Sequence, residues 1–300
     1  MRSSLLVGGL LGLVTTLPFV WKWRLGVAGT APWLFLFALM AGLLIFLVET
    51  FTRIGAVIAA ALVWLLTLMF SLTALAWRFY RDPERDPPDR DDVVVSPADG
   101  QVIYVHESRG GLLPVARKHG NFYELEELTK TSLRSEDALV IGIALNFLDV
   151  HVNRAPVAGR VSLECHYPGR FGSLRRREMV FENERATIVI EGEGLEAAVV
   201  LIASRLVRRI ITYGRENQQV ALGQRIGAIK FGSQVDLVLP AREDLEVTVR
   251  PGDRVTAAES VVAVLHRQAH RTERADAVVS SAVDRSGQST RHPASHRPSA

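Results

Sequence analysis

RIGAIKFGSQVDLVLP, running from Arg225 to Pro240, is a strand-like apolar stretch with a Gly-Ser pair, Gly232-Ser233, inside it. Read outward from it, the same β-type pattern recurs along the second two thirds of the chain. The runs are VVVSPADGQVIYV (93–105), ALVIGIALNF (138–147), APVAGRVSLE (155–164), ATIVIEG (186–192), AAVVLIA (197–203), LEVTVR (245–250) and ESVVAVL (259–265). Gly, Pro and Asp-rich breaks separate them. Many short strands divided by frequent turn signals predict a compact, mainly β (α+β) domain. One helix is expected at Ile202 to Thr212, where apolar residues and arginines mix.

The first third is different. Three apolar runs, Leu5–Val20, Pro32–Val48 and Ile54–Trp77, precede the polar domain. A helix needs about 20 apolar residues to cross the hydrocarbon core, and the third run meets this easily. Lys22 and Arg24 before the second run, and Arg78, Arg81 and Arg85 after the third, predict a hairpin with both outer flanks cytoplasmic. Trp21, Trp23, Trp33 and Trp77 lie where interfacial anchors lie. The expected organisation is a membrane segment at 1–80 with two or three transmembrane helices and a charged, proline-rich linker at 81–94. A mainly β domain at 95–267 and a disordered polar tail at 268–300 complete it.

The 300 residues carry a formal net charge of +3 and a single cysteine, Cys165. An intrachain disulfide and a cysteine-based zinc site are therefore excluded, and no metal is expected. The basic residues are not interleaved with aromatics, and no nucleic-acid motif is present, so an anionic lipid surface is the expected partner and nucleic acid is not.

The Gly-Ser pair and its flanks resemble the self-processing site of the phosphatidylserine decarboxylase family. Four further stretches match in family order. They are RFYRDPER (78–85) followed by VSPADGQV (95–102), NFLDVHVNRAPVAG (146–159), FENERATI (181–188) and LIASRLVRRII (201–211). Together they cover about Arg78 to Leu265 and are similar to the shorter bacterial and archaeal branch.

The resemblance implies a chemistry. The Ser233 hydroxyl attacks the Gly232 carbonyl, the chain is cut, and Ser233 becomes a covalent pyruvoyl cofactor. That group forms a Schiff base with phosphatidylserine in the membrane, giving phosphatidylethanolamine and CO2. The cleaved α and β chains stay together as a heterodimer at the cell membrane, with the catalytic domain on the cytoplasmic side. Asp99 is implied as the carboxylate of self-cleavage and His151 as a residue of the decarboxylation step.

Arg154 stands where longer family members carry a second His. An arginine stays protonated and is a poor base, so the base for self-cleavage is left between Asp99 acting directly and His151 serving both stages. Asn153 and Arg154 are candidates for binding the substrate phosphate or carboxylate, with a structural salt bridge as the equal alternative. Asn183, Glu184 and Arg185 carry the same two readings.

A rival reading rests on SPADGQVIYV, APVAGRVSLE and RPGDRVTAAESVVAVL, each with Gly in a turn before a strand, as in lipoyl and biotinyl carrier domains. It implies carrier-like barrel elements in a non-enzymatic, membrane-tethered adaptor. It leaves the Gly-Ser pair and the ordered motifs unexplained.

Overall fold

A computed structural model of the chain describes residues 10, 39–40, 42–48 and 50, and from 56 to 266 all but 117–120, 147, 206–208 and 230–233. The first apolar run apart from Leu10, much of the second, the tail at 268–300 and the Gly232-Ser233 pair lie outside the described residues.

Helix α1, Ala56–Phe79, is 24 residues long and rich in Ala and Leu, which favour helix. It stops because Asp82-Pro83 cannot continue it. Tyr80 N–H still reaches the Ala76 carbonyl at 2.9 Å. Apolar side chains along it, among them Leu66 and Met69, are 59% exposed. Counted over the described side chains, which omit several positions of α1, no helix is long and apolar enough to cross a membrane.

Residues 82–90 run extended, as their prolines require, but are not a loose spacer. Asp82 accepts from Arg154 at 3.1 Å and from Arg225 at 2.6 Å, Glu84 accepts from Arg225 at 2.8 Å, and Arg85 grips Asp99. The charges of this segment are therefore built into the domain.

The domain is mainly β with few helices, its large sheet curled into a half-barrel. In chain order the strands are β1 Val93–Val95, β2 Gly100–Ser108, β3 Leu112–Ala116, β4 Phe122–Glu124, β5 Ala138–Ala144, β6 Val152–Arg154, β7 Gly159–Tyr167, β8 Arg185–Glu191, β9 Glu196–Ile202, β10 Ile210–Thr212, β11 Gln219–Val220, β12 Arg225–Ile229, β13 Gln234–Pro240, β14 Leu245–Val247, β15 Arg254–Val255 and β16 Val261–Leu265. Two short helices, α2 Leu125–Thr129 and α3 Met179–Glu182, lie between them.

The large sheet has the order β11-β7-β8-β9-β13-β5-β2-β15, and its pairs are antiparallel. Alternation sends its side chains into two cores. Val235, Leu237 and Leu239 of β13 join Ile141, Ile143, Val199 and Leu201 on one face. Val238 joins Val140, Val200 and Ile202 on the other, under Leu113, Leu128 and Phe181. Covered on both faces, β13 is buried through Leu239, and each large aliphatic side chain it buries contributes about 1.5–3 kcal/mol. The strand order β10-β12-β6 makes a small second sheet beside the first core.

The helix expected at Ile202–Thr212 is not formed. Ile202 ends β9, paired with Gln234 and Arg185, and Ile210–Thr212 is β10, paired with 227–229. Arg205 and Arg209, two of the arginines that gave the segment a helical look, flank two strand ends, and burial of Ile202 and Ile210 in the sheets overrides the local pattern.

Candidate active site

Asp99 closes a turn beginning at Ser96, whose hydroxyl donates to the Ala98 carbonyl at 2.7 Å. The next residue starts β2 against β5, so closely that a Cβ at Gly100 would lie 2.4 Å from the Ala144 carbonyl oxygen. The Asp-Gly pair is thus required by strand approach as well as by the turn. Arg85 Nη2 donates to both Asp99 carboxylate oxygens, at 3.0 and 2.9 Å, and the Ala257 N–H donates to Oδ1 at 2.8 Å. Both side chains are largely buried, which leaves the carboxylate one orientation.

His151 follows a tight loop after β5. Asn146 N–H donates to Asp149 Oδ2 at 2.7 Å, and Arg254 holds Oδ1 at 2.7 Å. The Asp149 carbonyl lies 2.8 Å from His151 Nδ1. A carbonyl can only accept, so Nδ1 carries the hydrogen and Nε2 is the proton-accepting nitrogen of the neutral ring. The ring is 4% exposed and packs on Phe79, the last residue of α1, with centroids 4.4 Å apart. Burial pushes the imidazole below its ordinary range. The Asp149 carbonyl, with the charges of Asp149 and Asp99, opposes the shift, and Arg81 adds to it. The ring is therefore neutral at pH 7.

The Asp99 turn and His151 meet through β6, where Arg154 N–H donates to the Pro97 carbonyl at 2.9 Å. Strand β6 pairs with β12, and the Ile229 N–H donates to the His151 carbonyl at 3.0 Å. Downstream, Gln234 pairs with Ala144, which also pairs with Gln101, two residues from Asp99. The two described flanks of residues 230–233 are thus bonded to His151 on one side and to the strand beside the Asp99 turn on the other.

Arg154 is 4% exposed and its guanidinium donates to Asp82, to the Pro83 carbonyl at 2.8 Å and to the Gly223 carbonyl at 3.1 Å. This geometry favours the salt-bridge alternative. Asn153 is fully buried, with Nδ2 3.5 Å from the Pro97 carbonyl and no hydrogen-bond partner on Oδ1. Asn183 ties Gly172 to Ala203, and Arg185 donates to the carbonyls of Glu127, Leu128, Val180 and Asn183. Both brace α2 and α3 against the sheet.

The profile of the phosphatidylserine decarboxylase family matches residues 72–263. The chain belongs to the phosphatidylserine decarboxylase family. It is 40% identical over 196 residues to a Methanothermobacter thermautotrophicus protein carrying the name of an archaetidylserine decarboxylase proenzyme, a match covering 65% of this chain and 83% of that one. A phosphatidylserine decarboxylase proenzyme of Pelobacter propionicus is 37% identical over 227 residues, covering 75% and 93%. One of Geotalea uraniireducens is 34% identical over 212 residues, covering 70% and 89%.

Family membership makes the cluster around His151 the candidate active site and brings out residues that sequence reasoning passed over. Arg85, Asp149 and Phe79 all lie inside the quoted motifs, yet only folding shows what they touch. A second group is buried on the other side of β13. Tyr104 Oη donates to Asp236 Oδ2 at 2.7 Å, while Gln234 Nε2 donates to Tyr104 Oη at 2.7 Å and to Asp236 Oδ1 at 2.8 Å. Burial pushes the Asp236 carboxyl up to about 6, against the hydrogen bonds of Tyr104 and Gln234 and the charge of Arg185. The ring of Tyr104 crosses Gly142, where an added Cβ would meet it at 2.4 Å.

Proposed function

We propose that the chain is the proenzyme of a pyruvoyl-dependent decarboxylase that converts the serine headgroup of phosphatidylserine, or of archaetidylserine, to ethanolamine and CO2. The observation that carries this reading is the convergence of both flanks of Gly232-Ser233 on His151 and the Asp99 turn, within a family whose relatives are named as proenzymes. The residues present fit a pyruvoyl group made from Ser233. A buried carboxylate and a neutral imidazole stand in the turn before β2 and just ahead of β6, beside the strands bonded to the two flanks. When formed, the group supplies the electron sink that lets the serine α-carboxylate leave as CO2.

The chain's own residues do the rest. Asp99, aimed by Arg85 and the Ala257 amide, takes the proton of the Ser233 hydroxyl in self-cleavage. Arg154 cannot take it, being protonated and committed to Asp82, Pro83 and Gly223. His151, with Nε2 as its accepting nitrogen, moves the proton in decarboxylation. The cut separates residues 1–232 from 233–300 and leaves them joined as a heterodimer, because β13 lies between β9 and β5.

The same reading attaches the protein to a membrane with its catalytic domain on the cytoplasmic side. Helix α1 leaves Ile58, Leu62, Leu65, Leu66, Met69 and Leu72 exposed, with Arg78 and Arg81 at its domain end, a combination suited to lipid on one side and cytoplasm on the other. The test is the mass of the purified protein beside that of Ser233→Ala. The parent should give two chains, the smaller blocked to Edman degradation, and the variant one chain. Full CO2 release from an uncut 300-residue chain would overturn the proposal.

A further inference from the structure

A cavity of about 420 Å³ opens on the side of the large sheet where Gln234 and Tyr104 point. Its walls are largely apolar, with Leu113 and Val115 of β3 and Leu174 beside the single imidazole of His106, and Tyr104 and Gln234 line its floor. Arg175 and Arg177 line its mouth, both exposed. Arg134, Arg160, Arg170 and Arg242 each pair with a carboxylate. Arg175 and Arg177, among the described residues, do not. Two cations two positions apart, neither paired with a carboxylate among the described residues, over a largely apolar pocket of ligand size, are complementary to an amphiphile with one anionic group.

Position along the chain narrows the ligand. Gln234, 3% exposed, is both the floor of this cavity and the residue next to Ser233, and neighbouring Cα atoms are about 3.8 Å apart. Its amide is held by Tyr104 and Asp236, so the floor is rigid.

We infer that this cavity is the subsite for the glycerophosphate part of the substrate lipid, with Arg175 and Arg177 taking the phosphodiester and Leu113, Val115 and Leu174 taking the glycerol and the first methylenes of the chains. The inference rests on the decarboxylase reading. It adds that specificity for a phospholipid over free serine comes from the sheet face opposite the core that borders His151. Binding of this kind is uniform through the reaction, so its loss falls on KM.

The test is the Arg175→Gln/Arg177→Gln double variant in the full chain, assayed for CO2 release at constant ionic strength. One arm uses monomeric dihexanoyl phosphatidylserine and the other vesicles of long-chain phosphatidylserine. Self-cleavage on a gel is the control, because neither arginine touches the Asp99 or His151 clusters. The expected result is normal cleavage and a KM for the monomeric lipid raised about tenfold. Leu174→Trp, which fills the apolar wall, should raise the same KM. An unchanged KM for the monomer in cleaved, active double variant overturns the subsite and leaves the decarboxylase reading standing. A rise confined to vesicles also overturns it, by showing that the arginines meet a bilayer surface. No CO2 from the parent in either arm removes the decarboxylase reading, and the subsite with it.

Discussion

The ring of Phe79, at the end of the apolar helix, lies 4.4 Å from the ring of His151 in the heart of the candidate site. Helix α1 therefore finishes as part of the wall around a titrating group. Burial is the main cause of the lowered His151 pKa, so Phe79→Leu, which keeps an apolar side chain but opens the wall, should let the imidazole rise toward its ordinary value. The neutral ring is the form the site holds, and the acid limb of the decarboxylation pH profile should move to higher pH. An unmoved limb at unchanged stability would show that Phe79 does not set the His151 environment.

The contacts of residues 79–85 sharpen what can be removed. A chain starting at Arg78 retains Phe79, Asp82 and Arg85, and should cut itself. One starting at Val93 loses the partners of His151, Arg154 and Asp99 together, and should stay uncut. A time course on denaturing gels distinguishes them, and cleavage of the shorter form at the parental rate would make the segment dispensable.

Arg85 is the group that orients Asp99. Misplacing a reacting group by an ångström can cost about 100-fold, and Arg85→Gln should slow self-cleavage by that order. Arg85→Lys, which keeps the charge on a shorter side chain, should recover part of it. The companion comparison is His151→Ala, expected to cut itself and then release little CO2. If it stays uncut, His151 serves both stages.

Asp236 contributes a pH dependence of the less familiar sign. Its folded carboxyl sits at about 6 against an ordinary 3.8, so the native state holds the proton more tightly than the unfolded chain. The stabilisation is full below about pH 4 and is lost as pH rises to about 6, a change of about 3 kcal/mol. Thermal unfolding across this window should fall more steeply with pH in the parent than in Asp236→Asn. Parallel curves would place the titration elsewhere.

Gly142 makes room for the Tyr104 ring. Gly142→Ala should overpack that crossing and destabilise the domain by about 1–3 kcal/mol, read as a lowered Tm. An unaltered Tm would mean that the ring shifts without penalty.

The eight β-type runs were legible because each buries its own apolar residues, and they became β1, β2, β5, β7, β8, β9, β12 with β13, β14 and β16. The short strands β6, β10, β11 and β15 were not, since two or three residues carry no periodicity and exist only through pairing with distant partners. The hairpin of β3 and β4 was missed as well, though it roofs the second core. At the site, Asp99 and His151 stood out through their motifs, which are local. Arg85 with Asp99, Phe79 with His151 and Tyr104 with Asp236 are relations across 14, 72 and 132 positions, and no window of sequence contains their geometry. The linker shows the same limit. Its prolines foretold an extended path, but its charges find partners as far away as Arg225.

Strand β13 is zipped to β5 along Gln234–Pro240 and to β9 along Gln234–Val238. With the backbone cut just before it, as proposed, the smaller piece would be dovetailed into the larger and could leave only if the sheet were torn apart. Folding must then come first and scission second, and the order cannot be run backwards. On that proposal maturation would be a one-way ratchet: a poisoned centre could not be swapped for a fresh C-terminal piece, and a new chain would have to be translated to replace each spent one.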